Sequence, residues 1–254
     1  MLKIRLIPRL DIKGPNVVKG IHCEGLRIVG NPKKLAYRYY KNGADEILCM
    51  DIVASLYQRN FDFNLLKSIS ENIFIPITVG GGIRSINDIN NALRAGADKV
   101  AINTYAIKNP GFLNEAAKKF GSQCIVLSIE AKKKDDGTWE AYTDGGREKT
   151  GIDVVQWAKK AIKLGVGEII LTSIDYDGTR KGYDIDLISA ISLFSPVPLI
   201  VHGGANNPNS FLDVLKRCRP EGLSAASIFH YKNFSIKDVK KYLLNKNLPI
   251  RYGQ

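Results

Sequence analysis

The chain has 254 residues, of which 44% are hydrophobic and 24% charged, as is typical of a globular protein with a sizeable core. The formal net charge is +12, but the basic residues are scattered and are not interleaved with aromatic residues. This pattern argues against a nucleic-acid-binding surface. A lysine-rich solvated surface explains the charge better, and the same charge would attract anionic, phosphorylated substrates.

The cysteines and the apolar runs exclude further classes. The four cysteines show no Cys-x-x-Cys pair and no His–Cys spacing, so we expect no disulfide framework, no metal site and no other cofactor. No apolar run approaches the length of a membrane span, and the first residues, MLKIRLIP, are too short an apolar segment for a signal peptide. We therefore expect a cytoplasmic protein without a membrane partner.

Short apolar strands alternate with amphipathic helices along the chain, which predicts parallel βαβ units of the α/β class. We predict strands at Arg5–Leu10, Glu46–Asp51, Ile77–Val79, Lys99–Ile102, Cys124–Ile129, Glu168–Thr172, Leu199–Val201 and Gly222–Ala225. Helices are predicted between the strands, and seven of them can be bounded: Pro32–Asn42, Ser85–Arg94, Asn109–Phe120, Gly151–Leu164, Asp184–Ser192, Pro208–Lys216 and Ser235–Leu244. Eight strands and eight helices predict a single (β/α)8 barrel over residues 1–254, with a doubly wound open sheet as the alternative.

An internal repeat favours the closed barrel. The segment Gly43–Ile47 is echoed by Gly165–Ile169, and PITVGGGIR at Pro76–Arg84 is echoed by PLIVHGGA at Pro198–Ala205. Each echo follows its counterpart by 122 residues, for example 203 − 81 for the glycines. We therefore predict two half-barrels, at about residues 1–120 and 121–254.

The repeated glycine segments are candidate phosphate sites. Gly81 and Gly82 follow a short strand and precede a polar helix start, and Gly203 and Gly204 repeat this plan after His202. Glycine lets backbone N–H groups approach an oxyanion closely, although three glycines can also mark a simple tight turn. We predict that the first segment binds a phosphate or pyrophosphate group of a substrate. His202, Gly203 and Gly204 are the candidate anion-binding residues of the second segment, for which phosphate binding is left open.

Two long loops follow strand ends on the face where such barrels place their active sites. Residues 13–31 contain four glycines and Lys19, and we predict a mobile lid in which Lys19 contacts the substrate. Residues 132–150 form a polar insertion that suggests a hairpin with Gly137 at its turn. A purely decorative surface loop is the alternative for the second segment.

Two acidic residues are candidate catalytic groups. Asp11 and Glu130 each end a predicted strand, and the repeat places them opposite each other across the barrel mouth. A single acidic residue at a strand end is more often a cap or a salt-bridge partner, but two at symmetric positions beside anion sites suggest an acid/base pair. Further polar or backbone groups at this face are predicted to bind substrate: Arg9, Asn103, Thr104, Asp177, Ala226 and Ser227.

A second cluster of charged residues lies at strand starts, at the opposite end of the predicted barrel. If they point inward, they form a ring of two positive and two negative charges, Arg5, Glu46, Lys99 and Glu168. Buried charges persist when they are paired, so the ring can be a purely structural network. The more specific, functional hypothesis is that the ring forms a polar gate through the barrel floor.

Several motifs resemble the cyclase subunit of imidazole glycerol phosphate synthase over essentially the whole chain. They are VGGGIR at Val79–Arg84, GADK at Gly96–Lys99, FGSQC at Phe120–Cys124, LTS at Leu171–Ser173, DGT at Asp177–Thr179 and AASIFH at Ala225–His230. The resemblance implies a barrel that receives ammonia from a separate glutaminase, bound as a heterodimer at the barrel floor. It implies that Asp11 is the catalytic base, that the ring of four charges is an ammonia gate, and that Asp98 lies at the glutaminase interface. It also places Gly82, Asn103, Thr104, Asp177, Gly178, Gly203, Gly204 and Ser227 in two phosphate sites.

The chain departs from the family pattern in five places, three of which are single residues of the expected site. The family's Cys, Asp and Ser are here Arg9, Glu130 and His202. We prefer the interpretation that these changes mark a paralogous branch in which ammonia forms an acetamidino group on a nucleotide-activated or free surface sugar. The alternatives are imidazole glycerol phosphate synthesis for histidine and a non-catalytic barrel that positions a glutaminase.

Overall fold

Twelve β-strands are present in the computed structural model, which describes residues 3–251. In chain order they are β1 (Arg5–Lys13), β2 (Asn16–Ile21), β3 (Glu24–Gly30), β4 (Ile47–Asp51), β5 (Ile77–Gly80), β6 (Lys99–Ile102), β7 (Ile125–Lys133), β8 (Trp139–Thr143), β9 (Glu148–Asp153), β10 (Glu168–Ser173), β11 (Leu199–His202) and β12 (Gly222–Ala225). Eight of them close into a parallel barrel in the order β1, β4, β5, β6, β7, β10, β11, β12 and back to β1. The predicted (β/α)8 barrel is therefore confirmed, and the open-sheet alternative is wrong.

Helices connect consecutive barrel strands on the outside of the barrel. In the described part of the chain they are α1 (Pro32–Lys41), α2 (Phe63–Ser70), α3 (Ile86–Arg94), α4 (Thr104–Lys108), α5 (Gly111–Phe120), α6 (Val154–Lys163), α7 (Ile185–Ser192), α8 (Pro208–Arg217), α9 (Ser227–His230) and α10 (Ile236–Leu244). Polar N-caps start several of them; Asn31, for example, accepts a hydrogen bond from Lys34 N before Pro32 opens α1. Three helices, α2 and the short α4 and α9, were not located from the sequence.

The two half-barrels share a feature: the first strand of each half is followed by two additional antiparallel strands. Strand β1 continues into the β2–β3 hairpin, and β7 continues into β8 and β9. The predicted hairpin in residues 132–150 is thus present, and the helix expected from Gly151 starts three residues later because β9 extends to Asp153. This echo supports the two-fold repeat in the predicted fold.

The segment expected to be a mobile lid is a paired hairpin. Its turn is formed by His22 and Cys23, both with positive φ (52° and 62°), as a two-residue hairpin turn requires. His22 N donates to Asp177 O over 2.8 Å, and its ring Nδ1 lies 3.0 Å from Ile174 O. These contacts join the hairpin tip to the loop after β10, so the predicted lid segment is a hairpin that covers the barrel mouth in this structure.

Strand alternation determines what faces the barrel interior. Along β1, Arg5, Ile7, Arg9 and Asp11 point inward, whereas Leu6 and Leu10 pack outward against the helices. The middle of the interior is an apolar layer of Ile7, Leu48, Met50, Ala101, Val126, Ile170 and Ile200. This layer separates a charged cluster at the N-terminal ends of the strands from another at their C-terminal ends.

None of the helices within residues 3–251 has both the length and the hydrophobicity of a membrane span.

Candidate functional site

The four charged residues predicted at strand starts form a closed ring at the floor of the barrel. Arg5 contacts Glu46 Oε2 at 2.7 Å and Glu168 Oε1 at 2.5 Å. Lys99 Nζ completes the ring at 2.8 Å from Glu46 Oε1 and 2.6 Å from Glu168 Oε2. Each cation therefore contacts both anions, and Thr78 Oγ1 donates a further hydrogen bond to Glu46 over 2.6 Å. The structure brings together the ring that the sequence predicted.

At the opposite end, Arg9 crosses the barrel interior. Its Nε donates to Asp11 Oδ1 on the same strand over 2.7 Å, and its Nη1 donates to Thr172 Oγ1 on β10 over 3.0 Å. Strands β11 and β12 separate β1 from β10 on the shorter way around the barrel, so the guanidinium spans the lumen. Arg9 is only 3% exposed, so its charge is buried in the barrel interior below the mouth.

Lys19 reaches down from the hairpin into the same cluster. Its Nζ lies 2.6 Å from Asp177 Oδ2 and 3.5 Å from Asp11 Oδ2. His202 lies on the other side of Asp177, with its Nε2 3.4 Å from Asp177 Oδ1 and its Nδ1 3.0 Å from Ser224 Oγ. Burial, followed by the nearby Arg9 charge, lowers the pKa of His202, which favours the neutral imidazole. Burial opposes ionisation of Asp177, but Lys19 and then His202 hold the pKa of Asp177 well below its usual range.

Glu130 has a different environment. It accepts a hydrogen bond from Asn103 Nδ2 over 3.1 Å and lies on β7, opposite β1 in the barrel. Burial is the largest cause that raises the pKa of Glu130 to about 7, and the charge of Arg9 opposes this rise. Glu130, Arg9 and Asn103 line an open cavity of about 430 Å³. Asp11 does not line this cavity, because it lies beneath the hairpin.

The first glycine segment forms one wall of this cavity. Gly81 and Gly82 have φ values of 98° and 73°, and an added Cβ would overlap the carbonyl oxygens of Asp51 and Arg59 respectively. Both positions therefore require glycine, and both line the cavity with Asn103 and Thr104. Asn103 Oδ1 is buried without a partner in the described residues, which is a group that a bound ligand would satisfy.

The second glycine segment has almost no free space. Its surroundings leave a cavity of about 10 Å³, which is about the volume that one water molecule needs. The wall consists of Lys19, Asp177, Gly178, His202, Gly203, Gly204, Ala226 and Ser227, together with Arg180, Ala205 and Ala225. The structure thus brings together the predicted residues, but Lys19 and His202 fill the volume between them.

Asp98 lies apart from both anion sites, at the start of β6 on the floor side. It is exposed, and its Oδ2 accepts a hydrogen bond from Ile77 N over 2.8 Å. This bond caps the start of the neighbouring strand β5, so Asp98 has a local structural task in addition to its position beside the floor.

The sequence analysis missed several polar partners inside the barrel. Thr78, Thr172 and Ser224 are inward-facing and bind Glu46, Arg9 and His202 respectively. A polar residue at an inward position of an otherwise apolar strand was the available signal. A buried contact between the Tyr39 hydroxyl and His230 Nδ1, at 2.5 Å, was also missed, because the two residues are 191 positions apart.

Within residues 3–251, no group of three or more His, Cys, Asp or Glu side chains is arranged to hold a metal ion.

The fold and the site together define a class of protein. A closed parallel barrel with buried, ionisable groups and a glycine-walled cavity at the C-terminal ends of its strands is the arrangement of a (β/α)8 enzyme. Residues 5–235 match the family model described as histidine biosynthesis protein. The chain therefore belongs to the histidine biosynthesis protein family.

Known relatives give a closer comparison. The chain is 57% identical over 211 residues to the imidazole glycerol phosphate synthase subunit HisF of Legionella pneumophila, with 83% of this chain and 100% of that protein covered. Proteins of the same name from Hydrogenobaculum sp. and Streptococcus mutans are 49% and 45% identical, each over 251 residues, with 99% of this chain and 100% of the relative covered.

These comparisons confirm the prediction of a synthase of the imidazole glycerol phosphate synthase family, and they do not support the non-catalytic scaffold. The names of the relatives favour the histidine alternative over the sugar-modifying branch that the sequence analysis preferred.

Proposed function

We propose that the chain is the ammonia-accepting synthase subunit of a glutamine amidotransferase, and that it carries out the cyclase reaction of imidazole glycerol phosphate synthase. The support is the identity of 45–57% to proteins of that name, combined with the closed charge ring at the barrel floor. In this proposal the reaction is cytoplasmic, and the partner is a glutaminase that forms a heterodimer at the floor beside Asp98.

The charge ring at the floor is the observation that supports an ammonia route through the barrel. A floor that needed only to be closed would be as stable with aliphatic residues, because burying four charges has a large desolvation cost. Above the ring, the interior is lined by aliphatic side chains such as Ile7, Val126 and Ile170. An apolar passage suits neutral ammonia and excludes ions, since an unpaired ion there would lose its hydration. We therefore assign Arg5, Glu46, Lys99 and Glu168 to an ammonia gate.

In the same proposal the cavity of about 430 Å³ holds the substrate. A phosphate group would lie against the amides of Gly81 and Gly82, within reach of the side chains of Asn103 and Thr104. The proton-transferring groups are Asp11 and Glu130 at the strand ends above the apolar layer. The substrate class is a phosphorylated or nucleotide-linked small molecule, and no cofactor is needed.

A second candidate function is favoured by the filled second anion site. With about 10 Å³ left between Lys19, Asp177 and His202, a second phosphate has no room unless the hairpin moves. A substrate with one anionic attachment fits the observed cavity without such a movement. This observation supports the amidination of a surface sugar to an acetamidino product as the alternative reaction.

A growth experiment separates the two reactions. A strain that lacks its histidine cyclase would receive this chain together with its glutaminase, and in parallel a variant with Arg9→Cys, Glu130→Asp and His202→Ser. Growth without histidine on the wild-type chain would support the cyclase proposal. Growth on the triple variant alone would contradict it and favour amidination, because the three substitutions restore the family residues and reopen the second site.

A failure of both chains to restore growth is interpreted with a biochemical arm. Purified folded protein is supplied with an ammonium salt and either the histidine precursor or an N-acetylated nucleotide sugar. Turnover of the sugar alone would establish the second candidate. Turnover of neither substrate would contradict both candidates.

A further inference from the structure

A further cavity lies on the outside of the barrel, between α1 and the segment that connects α9 to α10. Its volume is about 290 Å³, close to the lower limit of about 300 Å³ for pockets that hold small molecules. Within residues 3–251, no residue that lines this outer cavity also lines the cavity at the barrel mouth or the second anion site. Its wall includes Arg38, Tyr39, Phe229, Lys232, Phe234 and Asp238.

One part of the wall is positively charged. Arg38 is half-buried in the last turn of α1, and its Nη2 donates to the Tyr39 hydroxyl at 3.1 Å and to Phe229 O at 3.2 Å. Both acceptors belong to buried residues, so these bonds hold the guanidinium at the wall. In the described part of the chain, no carboxylate oxygen lies within 4 Å of a side-chain nitrogen of Arg38 or of Lys232. A carboxylate of a ligand would supply the missing counter-ion of the half-buried guanidinium.

Asp238 supplies a negative charge to the same wall from the first turn of α10. Its Oδ2 accepts hydrogen bonds from Ser235 N at 2.8 Å and from Ser235 Oγ at 2.7 Å, as part of the capping box of α10. These bonds hold the pKa of Asp238 below its usual range, so the carboxylate is ionised at neutral pH. No Lys, Arg or His nitrogen among residues 3–251 lies within 4 Å of the Asp238 oxygens. Oδ1 is therefore available to a cationic group of a ligand.

Aromatic side chains form the apolar part of the wall. The buried rings of Tyr39 and Phe229 have centroids 6.3 Å apart, and Phe234 is 36% exposed at the rim. Such rings present flat apolar surface that a planar group of a ligand would cover. An inorganic anion would contact the cations alone and leave both Asp238 and the rings without a partner.

We propose that the outer cavity binds a free α-amino acid with an aromatic side chain. The carboxylate of the ligand lies against Arg38 and Lys232, and its ammonium group lies against Asp238. Its side chain packs on Phe229 and Phe234. A simple carboxylate is a poorer ligand, because it brings no positive charge to Asp238. The site takes no part in the reaction at the barrel mouth, so the inference goes beyond the proposed function and does not depend on it.

A buried contact makes His230 a reporter of the outer cavity. The Tyr39 hydroxyl, which accepts from Arg38, lies 2.5 Å from His230 Nδ1. Burial lowers the pKa of His230 to about 4, so the imidazole is neutral and its Nδ1 can accept the Tyr39 hydroxyl proton. A ligand that attracts the guanidinium of Arg38 changes this chain of hydrogen bonds, and the ring signals of His230 should shift.

The chain has three histidines, His22, His202 and His230, so histidine-selective ¹⁵N NMR gives a simple spectrum. The wild-type chain is titrated at neutral pH with L-phenylalanine, with hydrocinnamate, which lacks the ammonium group, and with phenethylamine, which lacks the carboxylate. We expect L-phenylalanine at millimolar concentrations to shift the His230 signals saturably while those of His22 stay in place. The other two probes should bind at least about tenfold more weakly. No saturable shift of His230, or equal binding of the three probes, would overturn the proposal.

Variants measured by titration calorimetry test the individual contacts. Arg38→Gln should weaken the binding of L-phenylalanine by about tenfold or more. The matched control is Arg94→Gln, which removes an exposed arginine from the last turn of α3 and should change nothing. Asp238→Asn keeps an acceptor for Ser235 but removes the charge, so it should bind L-phenylalanine and hydrocinnamate with similar affinity. Unchanged binding in Arg38→Gln, or an unchanged preference for L-phenylalanine in Asp238→Asn, would contradict the assignment, and Asp238→Asn decides alone if Arg38→Gln does not fold.

Discussion

Lys19 and Asp177 are 158 residues apart in the chain, and their side chains form a buried ion pair with Lys19 Nζ 2.6 Å from Asp177 Oδ2. The pair joins strand β2 of the hairpin to the loop after β10. It has two consequences at once, since it fastens the cover over the barrel mouth and occupies the second anion site.

Replacement of Lys19 by Met should therefore destabilise the protein strongly. The substitution leaves the carboxylate of Asp177 buried without its main cation, and such losses cost about 3–5 kcal/mol of the free energy of unfolding. Urea denaturation at pH 7 measures the change. The control is Lys33→Met, because Lys33 forms an exposed pair with Glu71 at 2.8 Å, whose loss should change stability little. Equal effects of the two substitutions would show that the buried pair does not hold the hairpin.

Gly82→Ala should disrupt the first anion site. The new Cβ would overlap the carbonyl oxygen of Arg59 in addition to carrying the strain of φ 73°. Gly137→Ala is the matched control, since Gly137 has φ 82° but no atom within 4 Å of an added Cβ. We expect Gly137→Ala to lower the free energy of unfolding by about 1–2 kcal/mol through backbone strain alone, and Gly82→Ala to lower it by more.

The same pair of variants tests ligand binding. Calorimetric titration with inorganic phosphate should show weaker binding to Gly82→Ala than to the wild type, while Gly137→Ala binds as the wild type does. Unchanged phosphate binding in Gly82→Ala would place the anion elsewhere.

Lys99→Ala opens the charge ring at the floor. Lys99 contacts both Glu46 and Glu168, so its loss leaves two buried carboxylates with Arg5 as their remaining cation. We expect glutamine-dependent product formation to fall relative to glutamine hydrolysis, whereas activity with an added ammonium salt changes less than about threefold, well under 1.4 kcal/mol in the barrier. The ratio of product formed to glutamine hydrolysed is the measurement. An unchanged ratio of product to hydrolysed glutamine would indicate that the ring has only a structural role.

His230 should make the protein sensitive to mild acid. Burial is the main cause that lowers the pKa of His230 from 6.5 to about 4. Between pH 6.5 and pH 4 the unfolded chain binds a proton that the folded chain does not, so this group removes stability as the pH falls. The shift corresponds to at most about 3 kcal/mol.

Two other buried groups with shifted pKa values also change the free energy of unfolding in this pH range. The lowered pKa of His202 contributes in the same direction. The raised pKa of Glu130 acts oppositely, because the folded chain gains stability as this carboxyl is protonated between pH 7 and pH 4.5. The comparison is therefore between wild type and His230→Gln, with the free energy of unfolding measured at pH 7.5 and pH 4.5. If the free energy of unfolding changes by the same amount between these two pH values in both proteins, His230 is not the cause of the acid sensitivity.

Much of the fold was predictable because it depends on local pattern. The alternation of short apolar strands with amphipathic helices predicted βαβ units, and the glycine segments repeated after 122 residues, at Gly81 and Gly203, favoured a closed, two-fold barrel. The floor ring was predictable because Arg5, Glu46, Lys99 and Glu168 all lie at strand starts.

The partners of the buried charges were decided by the tertiary structure. Nothing local indicates that Arg9 reaches Thr172, 163 residues away, or that Lys19 leaves a glycine-rich loop to pair with Asp177. Long cationic side chains have many rotamers, and in a dry interior they adopt those that reach an anion or hydroxyl group, wherever the fold has placed it. The sequence by itself thus determined the barrel, its two charged ends and the residues at each. Only the closed fold decided that the second anion site is filled and that Asp11 and Glu130 have different surroundings.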